Sequence, residues 1–105
     1  MSLAGRVAAT AAFVIGAVFV ASLLIDGSRH GEVPLPRLLG RGVSNAEQAA
    51  LPGAAEAARL ELSALSPELL NDDARVEELL VQAVRRAVKE RTGKRPAVLP
   101  VLTRL

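Results

Sequence analysis

The chain has 105 residues, 50% hydrophobic and 23% charged, which fits one small folded domain and argues against wholesale disorder. It contains no cysteine, so disulfides, zinc–thiolate sites and thiol chemistry are excluded. The net charge of +2 hides an asymmetry, because Ala46 to Val84 is acidic with only Arg59 and Arg75 as bases, whereas Arg85 to Leu105 is basic with Glu90 as its single acid.

Residues 7–25, "VAATAAFVIGAVFVASLLI", carry no charge and match the length of a bilayer-crossing helix, about 20 apolar residues. On physical grounds alone the run fits either a membrane span or a buried strand. The polar, glycine-bounded run Asp26 to Gly31 reads as a turn, and a second apolar stretch, Val33 to Val43, follows it. Pro34, Pro36, Gly40 and Gly42 exclude a good helix there and suit an edge or bulged strand. A hairpin is expected, with strands near Val14–Ile25 and Arg37–Val43.

The alanine-rich segment from Ala46 to Leu65 is interrupted by Pro52-Gly53. Proline suits a helix's first turn, so a helix is expected from Pro52 to Leu65, with Leu51, Ala55, Ala58, Leu62 and Leu65 as its apolar stripe. The periodicity is clearest over Asp72–Thr92, where Val76, Leu79, Leu80, Ala83, Val84, Ala87 and Val88 share one helical face. Asn71, Asp72 and Asp73 offer an N-cap, and Gly93 followed by Pro96 supplies the stop. The tail, Ala97 to Arg104, reads as a strand in which Pro100 demands an edge or a bulge.

Little in the chain resembles catalytic equipment. His30 is the sole histidine, sits in the turn and has no orienting partner, and no His/Asp/Glu cluster has metal-ligand spacing. Asp72-Asp73 is explained by capping, and Gly40-Arg-Gly42 is too short to cradle phosphate. Phe13 and Phe19 are the only aromatics, so there is no platform for stacking bases. The sequence reads as that of a protein that is not an enzyme by itself. The basic end, Arg85, Arg86, Lys89 and Arg91 above all, reads as a solvated helix end favoured by the macrodipole, or as a contact for phosphates or an acidic partner.

The run "VQAVRRAVKERTGKRPAVLPVLTRL" is the most specific stretch. Its basic helix ending in Thr92-Gly-Lys-Arg-Pro96, followed by a terminal strand containing Val98-Leu-Pro-Val101, resembles the C-terminal domain of bacterial ribonuclease J. Gly16-Ala-Val-Phe-Val20, Ile25-Asp26 and Gly40-Arg-Gly-Val43 fit that family's upstream strand, hairpin turn and second strand in order. Gly40 stands where the family often has serine, and Val43 where it often has an aromatic residue.

The resemblance implies a small α+β (α/β) domain over residues 13–105, preceded by a lead-in over 1–12. Its fold would be a three-stranded sheet with two helices packed on one face, in the order β-β-α-α-β. It implies an accessory and oligomerisation role in RNA processing and decay, with no cofactor in this chain. The family's zinc belongs to a metallo-β-lactamase/β-CASP core whose motifs are absent here, so no catalytic residue carries over. The expected partners are further copies of the chain or a ribonuclease core. RNA or another partner is expected to meet Arg41, Arg85, Arg86, Lys89, Lys94 and Arg95. With helices on one sheet face, the opposite face needs a cover, and Phe19, Leu23, Leu99 and Val101 are its candidate interface residues. The expected location is the cytoplasm. The alternative is a single-span, inner-membrane protein anchored by residues 7–25, with a small cytoplasmic helical domain.

Overall fold

A computed structural model describes residues 18–26 and 33–105, with elements in the order β1 (Val18–Ile25), β2 (Arg37–Arg41), α1 (Asn45–Ser63), α2 (Pro67–Leu70), α3 (Asp73–Thr92) and β3 (Ala97–Arg104). The expected lead-in, the start of the first strand before Val18 and most of the turn carrying His30 lie outside the described residues. The three strands form one mixed sheet ordered β2-β1-β3, in which β1 pairs antiparallel with β2 and parallel with β3. This is the expected three-stranded sheet with two main helices in the order β-β-α-α-β, with the single turn of α2 added between them.

Register sorts the side chains. Phe19 lies opposite Gly40 and Val98, Ala21 opposite Leu38 and Pro100, and Leu23 opposite Leu102. These residues turn toward the helices, and Phe19, Ala21 and Leu23 are buried. The other parity places Val18, Val20, Ser22 and Leu24 on the opposite face. Gly40 is required by close approach, because a Cβ there would lie 2.9 Å from Val43 Cγ1 and 3.1 Å from Phe19 Cε1.

The first main helix begins at Asn45 rather than at Pro52. Its start is a capping box, with the Glu47 N–H donating to Ser44 Oγ at 3.2 Å and the Ser44 N–H donating to Glu47 Oε1 at 3.0 Å. Pro52 sits inside the helix on its exposed side, so the chain gives up one backbone hydrogen bond there and solvent accommodates the ring. The buried stripe of α1 is Ala50, Leu51, Ala54, Ala55, Ala58 and Leu62. Leu65 lies beyond its end, half-buried against the core. Small alanines let α1 come close to its neighbours, which offsets their small individual areas.

The long helix matches its periodicity. Asp72 caps it, accepting from the Arg75 N–H at 3.2 Å, and Gly93 ends it in the left-handed conformation at φ 73°. Val76, Leu80, Ala83, Val84 and Val88 are buried. Arg86 of α3 donates to both carboxylate oxygens of Glu61 in α1 at 3.0 and 3.1 Å, and the Arg91 guanidinium lies beside Gly53, so the two helices run antiparallel. The strand β3 is an edge strand, where Pro100's missing N–H is tolerated. It is tied at both ends, by Arg85 Nε donating to the Pro96 carbonyl at 3.2 Å and by Arg104 donating to Asp73 Oδ1 and to the Leu70 carbonyl, each at 2.6 Å.

Two stability predictions follow from this packing. Gly40→Ala should destabilise the domain by about 1–3 kcal/mol through overpacking. Val43→Ala in the same chain should recover part of that loss, so urea unfolding of the double-mutant cycle should show coupling between the two sites. The Ser44 N–H holds the Glu47 carboxylate below its ordinary pKa against the opposing effect of burial, with the Ser44 hydroxyl and the Lys94 charge assisting. A lowered folded-state pKa stabilises above the unfolded carboxylate value and is lost as pH falls through the folded value. The advantage of wild type over Glu47→Gln should therefore be present at neutral pH and vanish in acid, while Ser44→Ala should cost about 1 kcal/mol near neutrality.

Candidate functional site

The strand register creates two surfaces that the helices leave free. The first is the sheet face opposite α1 and α3. Across it run the rows Leu39–Val20–Leu99 and Arg37–Ser22–Val101, with Leu24 beside Thr103. Leu39 is 59% exposed, Leu99 56%, Leu24 46% and Val101 46%, an unusual concentration of large apolar side chains on one side of so small a domain. None of the strand residues on this face is a carboxylate.

The predicted interface residues divide between the two faces. Leu99 and Val101 are exposed on the uncovered face. Phe19 and Leu23 are not on it: at 0% and 1% exposure they belong to the chain's own core, against the helices. The physical reason is parity, because β1 is apolar at odd and even positions alike and its large aromatic ring takes the enclosed side. Val20, Leu24 and Leu39 are the face residues that the sequence reading missed. Their signal was present in the alternation of the strands, and it becomes legible once the pairing of Leu99 with Val20 is known.

The second surface is the sheet end at which β1 and β3 begin and β2 ends. Arg41 pairs across Val18, which in turn pairs with Ala97, so the three residues form the last row of the sheet. Next to that row comes the turn Thr92–Pro96. Thr92 Oγ1 donates to the Val88 carbonyl at 2.8 Å and accepts from the Lys94 N–H at 3.2 Å, while the Gly93 N–H donates to the Lys89 carbonyl at 2.7 Å.

The predicted cations likewise divide. Arg85 is spent on the Pro96 carbonyl and Arg86 on Glu61, so both do structural work within the domain. Arg41, Lys89, Lys94 and Arg95 are exposed and form no ion pair among the described residues. Arg91, read in the sequence as part of the basic helix end, joins them on the last turn of α3.

Among the described residues, no group of three or more His, Asp or Glu side chains is placed to hold a metal ion. Among the same residues, no helix is long and apolar enough to cross a membrane. Residues 18–25 of the run considered as a span form the central strand, and residues 7–17 lie outside the described residues.

Comparison with known proteins agrees with this architecture. The chain has no match among curated proteins. The family model of the ribonuclease J C-terminal domain matches residues 15–105, which takes in the strands and helices of the described residues and the Thr-Gly-Lys-Arg-Pro turn. With most of its length covered by that match and its strands and helices in the expected order, the chain belongs to the ribonuclease J C-terminal domain family.

Proposed function

We propose that this chain is a non-catalytic accessory and assembly domain that supports RNA processing and decay by a metal-dependent ribonuclease core lying outside it. Residues 13–105 make up the domain, with 1–12 as a lead-in. It works in the cytoplasm and carries no cofactor of its own.

The observation that supports this reading is the uncovered sheet face. A central strand that is uncharged throughout and apolar at every position but Ser22 suits burial on both sides. In this domain α1 and α3 cover one side, and Val20, Leu24, Leu39, Leu99 and Val101 line the other. Another subunit, whether a second copy of the chain or the nuclease core, removes that apolar area from water.

The test is the solution behaviour of the chain and of Leu99→Glu. Light scattering should show concentration-dependent self-association of the wild type. The variant should weaken that association by about tenfold or more, since burying one leucine is worth about 1.5–3 kcal/mol. At concentrations low enough for both to be monomeric its thermal unfolding should match the wild type, because Leu99 packs on the exposed side. A wild-type chain that stays strictly monomeric and binds no apolar dye would overturn the proposal.

A further inference from the structure

Five cations converge on one end of the domain from three different elements. Lys89 and Arg91 lie in the last turn of α3, Lys94 and Arg95 in the following turn, and Arg41 at the end of β2. The register places Arg41 two strand spacings from Ala97, roughly 10 Å along the row, and Arg95 precedes Ala97 by two residues. The end of the domain is thus spanned by positive charge from one sheet edge to the other.

Among the other described basic side chains, only Arg37, at the far end of β2, is likewise exposed and in no ion pair. Arg59, Arg75, Arg86 and Arg104 are each paired with a carboxylate, and Arg85 holds a carbonyl. At the basic end the nearby acids are Glu47, which is buried in its capping box, and Glu90. The turn that carries Lys94 and Arg95 is held in one shape from both sides, by Thr92 before it and by the bond from Arg85 to Pro96 after it. Two cations are therefore presented to solvent on a preorganised backbone, at reduced entropic cost to a ligand.

We propose, resting on the role in RNA processing proposed above, that this end of the domain binds the phosphodiester backbone of RNA, without reading its sequence. The composition of the surface favours a polyanion over an acidic protein. Between the cations lie Gly42, Gly93, Ala97 and the half-buried Val18, with no aromatic or other large anchor of the kind that forms the centre of a protein interface. Phe19 is enclosed in the core, so no described aromatic ring stacks on bases, and recognition is electrostatic.

Fluorescence polarisation with a fluorescein-labelled single-stranded RNA tests this on the full chain. Four phosphate contacts predict a loss of affinity of about 50-fold between 50 and 200 mM salt. Lys94→Glu with Arg95→Glu should weaken binding at least tenfold and flatten the salt dependence. Arg59→Glu with Arg75→Glu changes the net charge equally at positions away from this end, and should leave affinity within about twofold. No binding at low salt, equal losses in the two double variants, or displacement of the RNA by poly-L-glutamate at matched charge would each overturn the proposal. The last result would mark an acidic-protein site instead.

Discussion

Phe19, Ala21 and Leu23 project from the central strand into space closed by α1 and α3, and the rest of the fold is arranged around filling that space. The ring of Phe19 reaches over β2, which is why Gly40 opposite it carries no side chain and why Val43 packs where a Cβ would otherwise sit. Ala21 lies between two larger neighbours along the strand, and facing it the helices supply Val76, Leu80, Val84 and Val88 from α3 and alanines from α1. Large residues on one helix and small ones on the other let two helices of unequal girth sit on a sheet only three strands wide.

The same strand dictates the chain's path. A parallel partner for β1 requires a long crossover, and here the whole segment from β2 through α3 serves as that crossover. The strand that returns is short of help, since it lies at an edge and contains Pro100. Its position is held by polar ties at its two ends rather than by its ladder alone. Arg85 fixes the entry at Pro96, and Arg104 fixes the exit at Asp73 and Leu70. Surface ion pairs contribute little in isolation, but ties between elements distant in sequence also settle register.

Where a pattern repeats over several turns it was legible in the sequence. The Asp72 cap, the heptad-like run from Val76 to Val88 and the Gly93 stop placed α3 almost to the residue, and of the edge or bulge that Pro100 allowed, β3 takes the edge. The start of α1 was misread because Pro52 is a strong local signal and Ser44-x-x-Glu47 a quiet one. Proline inside a helix costs roughly 3 kcal/mol, a loss that burial of Ala50, Leu51, Ala54 and Leu62 offsets only in the folded whole. The parity of β1 was illegible for a different reason. Phe19 and Leu23 alternate with Val20 and Leu24, so hydrophobicity alone does not say which set faces the helices; register against Gly40 and Val98 does. The internal duties of Arg85 and Arg86 depend on partners 11 and 25 residues away, which no local pattern reveals.

Position along the strands separates the two free surfaces. The apolar side chains occupy the sheet face and five cations gather at its end, the two meeting in the row Arg41–Val18–Ala97. A partner seated on Leu39, Val20, Leu99 and Val101 removes apolar area from water without desolvating Lys89, Arg91, Lys94 or Arg95, whose burial would be costly. Arg37 lies at the far end of β2 from Arg41, with Ser22 and Val101 in its row, so the partner meets one further cation at its rim. A cover bounded by these two arginines keeps the charged groups solvated and the basic end open. Docking on the face and electrostatic contact at the end are thus compatible in one domain, because four of the five cations lie in the last turn of α3 and the turn after it, beyond the apolar rows of the strands.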